Sequence, residues 1–153
     1  HQSNFCKATA MIQDATAFIP HQAPMVFVDT VSEFGEDYVM TQLTIRPELM
    51  FCEAEGLPSW AAIEIMAQTV SVFAGRHGQQ DGEAPKIGYL LGTRKMQLPV
   101  SHFALGSTLT IRAQQSYLHE GLGQFQCELH YEQHCISAVL SVYQPHEQPQ
   151  LGK

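Results

Sequence analysis

Residues 58–77 constrain this chain more than any other stretch. Pro58 suits a first helical position, and Gly75 and Gly78 mark a stop. Between them Trp60, Ala61, Ala62, Ile63, Ile65, Met66, Ala67, Val70, Val72, Phe73 and Ala74 spread apolar surface around the whole circumference. A helix apolar on every side is enclosed by other elements rather than laid on a surface. Its polar interruptions are few. Glu64, Gln68 and Ser71 stand at i, i+4 and i+7 and share one stripe, with Thr69 beside it. A carboxylate midway along an enclosed helix is costly unless it is paired or functional. Burial would raise its pKa and let it give or take a proton near neutral pH. The competing reading is that Glu64 caps a neighbouring strand's backbone or sits at a dimer seam. Gln68, one turn on, is a structural hydrogen-bonding partner or the group that orients Glu64.

What encloses the helix follows from the rest of the chain. Residues 25–32 are rich in β-formers, residues 38–45 alternate apolar and polar, and the turn chemistry of Phe34, Gly35, Glu36 and Asp37 joins them as a hairpin. A loop over residues 46–56 precedes the helix, and a polar loop over 78–84 follows it. Beyond lie strand-like segments at 87–98, 107–115, 124–131 and 134–143, separated by Gly106, by Gly121 and Gly123, and by a tight turn near Glu132. The expectation is an α+β domain, an antiparallel sheet of about six strands curled around one long central helix. At 153 residues the chain makes one domain, expected over 11–144, between an N-terminal extension (1–10) and a C-terminal tail (145–153).

Composition narrows the function. Only 15% of residues are charged against 44% hydrophobic, so surface is expected to be hidden against another subunit, a homodimer being the simplest arrangement. The net charge of −7 argues against nucleic acid. Arg76, Lys86, Arg94 and Lys95 nevertheless fall close together, either as solvated surface or as a docking patch for a phosphate or an acidic carrier protein. Cys6, Cys52, Cys127 and Cys135 show no CxxC pair and no zinc spacing with histidine. Reduced thiols and a cytoplasmic setting are the expectation, with no metal and no membrane span. No GxSxG elbow and no phosphate-binding glycine loop is present. His21 lies between Pro20 and Pro24 in a segment held extended, where a structural or surface role competes with a catalytic one. Gly88, Leu90, Leu91 and Gly92 form a glycine-bracketed strand where something approaches the backbone closely.

Three stretches, in order, resemble the 3-hydroxyacyl-carrier-protein dehydratases of the hotdog superfamily. They are IPHQAPMVFVDTV (19–31), LPSWAAIEIMAQ (57–68) and IGYLLGTRKMQLPV (87–100), the last leading through His102 and Phe103 to Leu105, Gly106, Ser107, Thr108 and Leu109. Within that superfamily the chain is most similar to the dehydratase-like proteins of bacterial aryl polyene clusters, which share the lead-in running here from Cys52 through Glu53, Glu55, Gly56 and Pro58 to Trp60. The likeness spans about residues 12–143. It implies a hotdog homodimer, or a heterodimer with a related dehydratase or a higher oligomer, with sites at the subunit interface. It implies an acyl chain in a tunnel beside the central helix, delivered on the phosphopantetheine of a carrier protein or on coenzyme A, and no further cofactor. The family's helix acid matches Glu64, with Met66, Ala67 and Gln68 following. The family's histidine sits in a Gly-His-Phe-Pro loop before the helix. Residues 51–56 here contain none, so His21 is the expected substitute.

On this resemblance the expected reaction removes water from a 3-hydroxyacyl thioester to give a trans-2-enoyl thioester, as in fatty-acid or aryl polyene biosynthesis. His21 would act as base, Glu64 as acid, and backbone N–H groups near Ser59 and Trp60 would polarise the carbonyl. Two alternatives stand beside it. One is thioester hydrolysis; the other is a non-catalytic, carrier-binding partner of an active dehydratase.

Overall fold

A computed structural model of the chain describes residues 13–18, 26–80, 89–93 and 96–143, with the side chains of 13, 77–80 and 89–93 set aside. The strand order is β1 (Gln13–Asp14), β2 (Thr30–Phe34), β3 (Tyr38–Thr44), β4 (Leu57–Pro58), β5 (Tyr89–Thr93), β6 (His102–Phe103), β7 (Thr108–His119), β8 (Leu122–Tyr131) and β9 (His134–Tyr143). A 3-10 turn follows β1 at Ala15–Phe18, and another at Ser59–Ala61 leads into α1 (Ala62–Gln80), the one long helix among the described residues. Seven strands form one antiparallel sheet in the order β1-β2-β3-β7-β8-β9-β5, while β4 and β6 pair separately. The six expected strands are β2, β3, β5, β7, β8 and β9, with the two-residue β1 added at one edge.

Alternation builds the core. Val39, Thr41 and Leu43 of β3, Leu109, Ile111 and Ala113 of β7, Phe125, Cys127 and Leu129 of β8, and Ile136, Ala138 and Leu140 of β9 are buried while their neighbours point outward. The register is continuous from Tyr38↔Gln114 to Thr44↔Thr108, and from Leu122↔Tyr143 to Tyr131↔His134. Against this face α1 presents Ala62, Ile65, Met66, Thr69, Val72 and Phe73, all buried. Two threonines stitch helix to sheet: the Thr41 and Thr69 hydroxyls lie 2.9 Å apart, and Thr69 Oγ1 also donates to Ile65 O at 3.0 Å.

The ends of the helix differ from expectation for identifiable reasons. Pro58 is not a first helical residue. It pairs with His102 across β4–β6, and the Ser59 N–H donates to Ser101 O at 2.9 Å, so a two-residue ribbon fixes the helix entry. Gly75 does not stop the helix, which runs on through Gly78 to Gln80. A Cβ at Gly75 would stand 1.8 Å from Phe18 O, so this glycine lets the first 3-10 turn lie directly on the helix. The helix is also not enclosed on every side by its own chain. Ile63, Glu64, Ala67, Ser71 and Ala74 form a half-buried stripe, because the sheet wraps only part of the circumference. Among the described residues no helix is long and apolar enough to cross a membrane.

Candidate active site

Glu64 lies in the first turn of α1, half-buried on that open stripe. Its Oε2 accepts from Gln68 Nε2 at 3.1 Å, one helical turn on. The Gln68 carbonyl is itself fixed, because Oε1 accepts the Phe27 backbone N–H at 2.8 Å. The Gln68 side chain is wholly buried. Its amide therefore has one orientation: oxygen toward the strand lead-in, nitrogen toward Glu64, to which it can only donate. The expected i, i+4 partnership is present, and Gln68 ties the carboxylate to the backbone of a different element.

Aromatic residues surround the Phe27 end of this relay. Phe27 stacks on Phe51, with ring centroids 6.4 Å apart, and Phe51 meets Trp60 edge-on at 5.2 Å. Phe51 is held at φ 70°, uncommon for a bulky residue, and both it and Trp60 stand about half exposed, at 50% and 53%. Large rings so presented form a surface suited to an apolar chain or a partner's side chains. The preceding loop closes tightly. Glu53 and Gly56 exchange backbone hydrogen bonds, and Gly56 sits at φ 123°, where a Cβ would stand 2.0 Å from Phe103 O. Only glycine fits there.

The other sequence-predicted site residues are distributed as follows. His21, Lys86, Gly88, Arg94 and Lys95 lie outside the described residues. Leu90, Leu91 and Gly92 belong to β5, the edge strand after β9, with Leu91 at a bulge between the pairs Leu90↔Val142 and Gly92↔Ser141. Arg76 places its guanidinium 4.7 Å above the Phe34 ring, so part of its role is packing against β2. Ser59 is a correction. Its N–H is committed to Ser101 O, so the site cannot draw on it to polarise a carbonyl.

A cluster that the sequence did not reveal adjoins the loop. His102 Nε2 lies 2.8 Å from Glu53 Oε1 and its Nδ1 lies 3.0 Å from Ser101 Oγ. The β4–β6 pairing brings these residues together across 49 positions of sequence. Nothing in local spacing announces such a pairing. It gives the histidine-free loop an imidazole from another strand.

An antiparallel sheet curled around one long helix, with a carboxylate held on the helix's open stripe, defines a hotdog-fold domain of the thioester-processing kind. The chain belongs to the ApeP-like family: the family model described as ApeP dehydratase matches residues 13–153. Among solved structures it is similar to the dehydratase heterocomplex ApeI:P from Xenorhabdus doucetiae, at 30% identity and a TM-score of 0.79, covering 88% of this chain and 92% of that one. Fold-level likeness extends to the PaaI protein of the E. coli phenylacetic acid degradation operon (12% identity, TM-score 0.57, 77% and 80% covered). It extends also to a hypothetical thioesterase with coenzyme A from Streptococcus pneumoniae (8% identity, TM-score 0.55, 74% and 85% covered). No curated protein sequence matches the chain.

Proposed function

We propose that this chain acts in the dehydration of a 3-hydroxyacyl thioester to a trans-2-enoyl thioester, with Glu64 as the acid that protonates the departing hydroxyl. The observation that carries this reading is the Gln68 bridge, which holds one carboxylate of a mostly apolar helix in a single geometry beside an aromatic surface. Elimination needs little more: a base removes the proton from the carbon next to the thioester carbonyl, and the acid delivers a proton to the oxygen that leaves as water. His21 is the proposed base, on the chain segment that continues into Phe27, the residue that anchors Gln68. The substrate would arrive on a carrier protein's phosphopantetheine arm, with Lys86, Arg94 and Lys95 as docking charges, and no redox or metal cofactor enters the reaction.

We further propose that the working form pairs this chain with a second hotdog chain. Two features support pairing. Among the described residues β5 is bonded on one side only, and an open edge strand accepts another strand. The half-buried stripe of Ile63, Ala67 and Ala74 leaves apolar helix surface for a neighbour. The related ApeI:P structure is a heterocomplex. This favours a second reading in which the chain supports a partner whose own residues perform the elimination.

Intact mass of a 3-hydroxyacyl-carrier protein separates these readings. The chain would be incubated alone and mixed with a related dehydratase chain, wild type beside Glu64→Gln and His21→Ala. Loss of one water, reduced at least a hundredfold in both variants, is the expected result. Release of the acyl group would mean hydrolysis, and dehydration indifferent to Glu64 would mean a supporting subunit.

A further inference from the structure

Glu128 and His130 project from the outward face of β8, and Cys135 of the neighbouring β9 stands directly opposite His130. The alternation that sends Cys127, Leu129 and Tyr131 into the core sends Glu128 and His130 to solvent. Glu128 Oε1 lies 3.5 Å from His130 Nε2, and Cys135 Sγ lies 4.0 Å from that same nitrogen. All three ligand atoms fall within 4.8 Å of one another. Two groups converging on one ring nitrogen is not a proton relay, which would use both nitrogens of the ring. It is a convergence that ligands around a shared centre would make, with Ser137 Oγ also 4.0 Å from the Cys135 sulfur.

Ligand chemistry, with distance, decides between this group and its rival. Tetrahedral zinc with bonds of about 2.3 Å to sulfur and about 2.0–2.1 Å to nitrogen or oxygen sets its ligands apart by roughly 3.5 Å (S···N) and 3.3 Å (N···O). The two separations at the His130 nitrogen lie within about half an ångström of these values, and rotamer changes at Glu128 and Cys135 would bring the third pair, within 4.8 Å, into range. The cluster of Glu53, Glu55 and His102 offers no sulfur ligand. Its Nε2···Oε1 distance of 2.8 Å is that of a direct hydrogen bond, which an ion would have to displace. Thiolate, imidazole and carboxylate together suit a borderline-soft divalent ion rather than calcium or magnesium.

We propose that Glu128, His130 and Cys135 form a binding site for zinc or a similar transition-metal dication, with three protein ligands and one open position. The rigid pairing of β8 with β9 holds the ligand backbones in place, and Cys135 yields its thiol proton to solvent on binding. The site stands on the sheet's outer face, apart from Glu64, and its function does not depend on the elimination chemistry.

The test uses the full chain, reduced and stripped of metal, titrated with Co²⁺ as a spectroscopic probe and then with Zn²⁺. Wild type is expected to bind one Co²⁺ per chain with thiolate-to-cobalt charge-transfer absorption that Zn²⁺ abolishes. Cys135→Ser should lose that band, and His130→Asn and Glu128→Gln should weaken binding at least about tenfold. Cys52→Ser should keep the band. The proposal is overturned by absence of the band in wild type, by its persistence in Cys135→Ser, or by its loss in His102→Asn. Because all three ligands are surface groups, unchanged circular dichroism verifies that the variants fold.

Discussion

Replacing Gln68 by methionine keeps the volume and helix propensity of the side chain and removes its hydrogen bonds to Phe27 and Glu64. The Phe27 N–H, which Gln68 accepts at 2.8 Å in a buried setting, would be orphaned at about 1–3 kcal/mol. Loss of the 3.1 Å bond to the half-buried Glu64 adds about 1 kcal/mol. The sum is roughly 2–4 kcal/mol, which for a domain of this size lowers Tm by roughly 4–16 °C. Chemical denaturation beside a thermal melt measures it. If Glu64 depends on Gln68 for its position, kcat for the elimination should also fall about ten- to a hundredfold while KM moves little. A stability change under about 0.5 kcal/mol would refute the buried-bridge reasoning. A destabilised variant with unchanged kcat would leave Gln68 structural and remove the positioning claim.

Further outcomes follow from other parts of the fold. Gly75→Ala should destabilise the protein in a thermal melt, although alanine favours a helix by about 1 kcal/mol, because its Cβ would meet Phe18 O at 1.8 Å. A stabilised variant would mean the 3-10 turn does not press on the helix. Thr69→Val, which orphans the Thr41 hydroxyl, should lower stability by about 1–3 kcal/mol, and Thr41→Val, which leaves Thr69 bonded to Ile65 O, by about 0.5–1.5 kcal/mol. The double variant should lose less than the sum, since the Thr41 hydroxyl that Thr69→Val orphans is then absent; simple additivity in denaturant melts would contradict the pairing. Burial pushes the Cys127 thiol from 9.0 up to about 12. Above pH 9 the unfolded chain releases this proton and the folded one does not, so stability should decline from pH 9 toward 12. Cys127→Ala should flatten that decline in alkaline denaturation curves, whereas an unchanged slope would assign it to other groups.

What was legible in the sequence was what periodicity carries. The helix announced itself by composition, and β3, β7, β8 and β9 by alternation or by glycine and turn punctuation. The Glu64–Gln68 partnership was readable because i, i+4 spacing is local. Contacts that depend on tertiary register were not. Pro58 read as a helix start because nothing local says that His102 pairs with it, and that same pairing creates the Glu53–His102 contact. Gly75 read as a stop because a glycine that admits a neighbouring backbone looks the same in sequence as one that ends a helix. The anchoring of Gln68 by the Phe27 N–H, 41 residues away, could not be inferred from either segment alone. Likewise, His130 and Cys135 have no motif spacing and meet only because the turn at Glu132 sets the register of β8 on β9.

The most direct test of the central claim is the reverse reaction on a trans-2-enoyl thioester, followed as loss of its conjugated ultraviolet absorption when water adds. The chain, assembled with its partner, should hydrate the enoyl group, and Glu64→Gln should slow this by at least about a hundredfold with folding intact. Hydration at the wild-type rate in Glu64→Gln would contradict the account and move the chemistry to another chain.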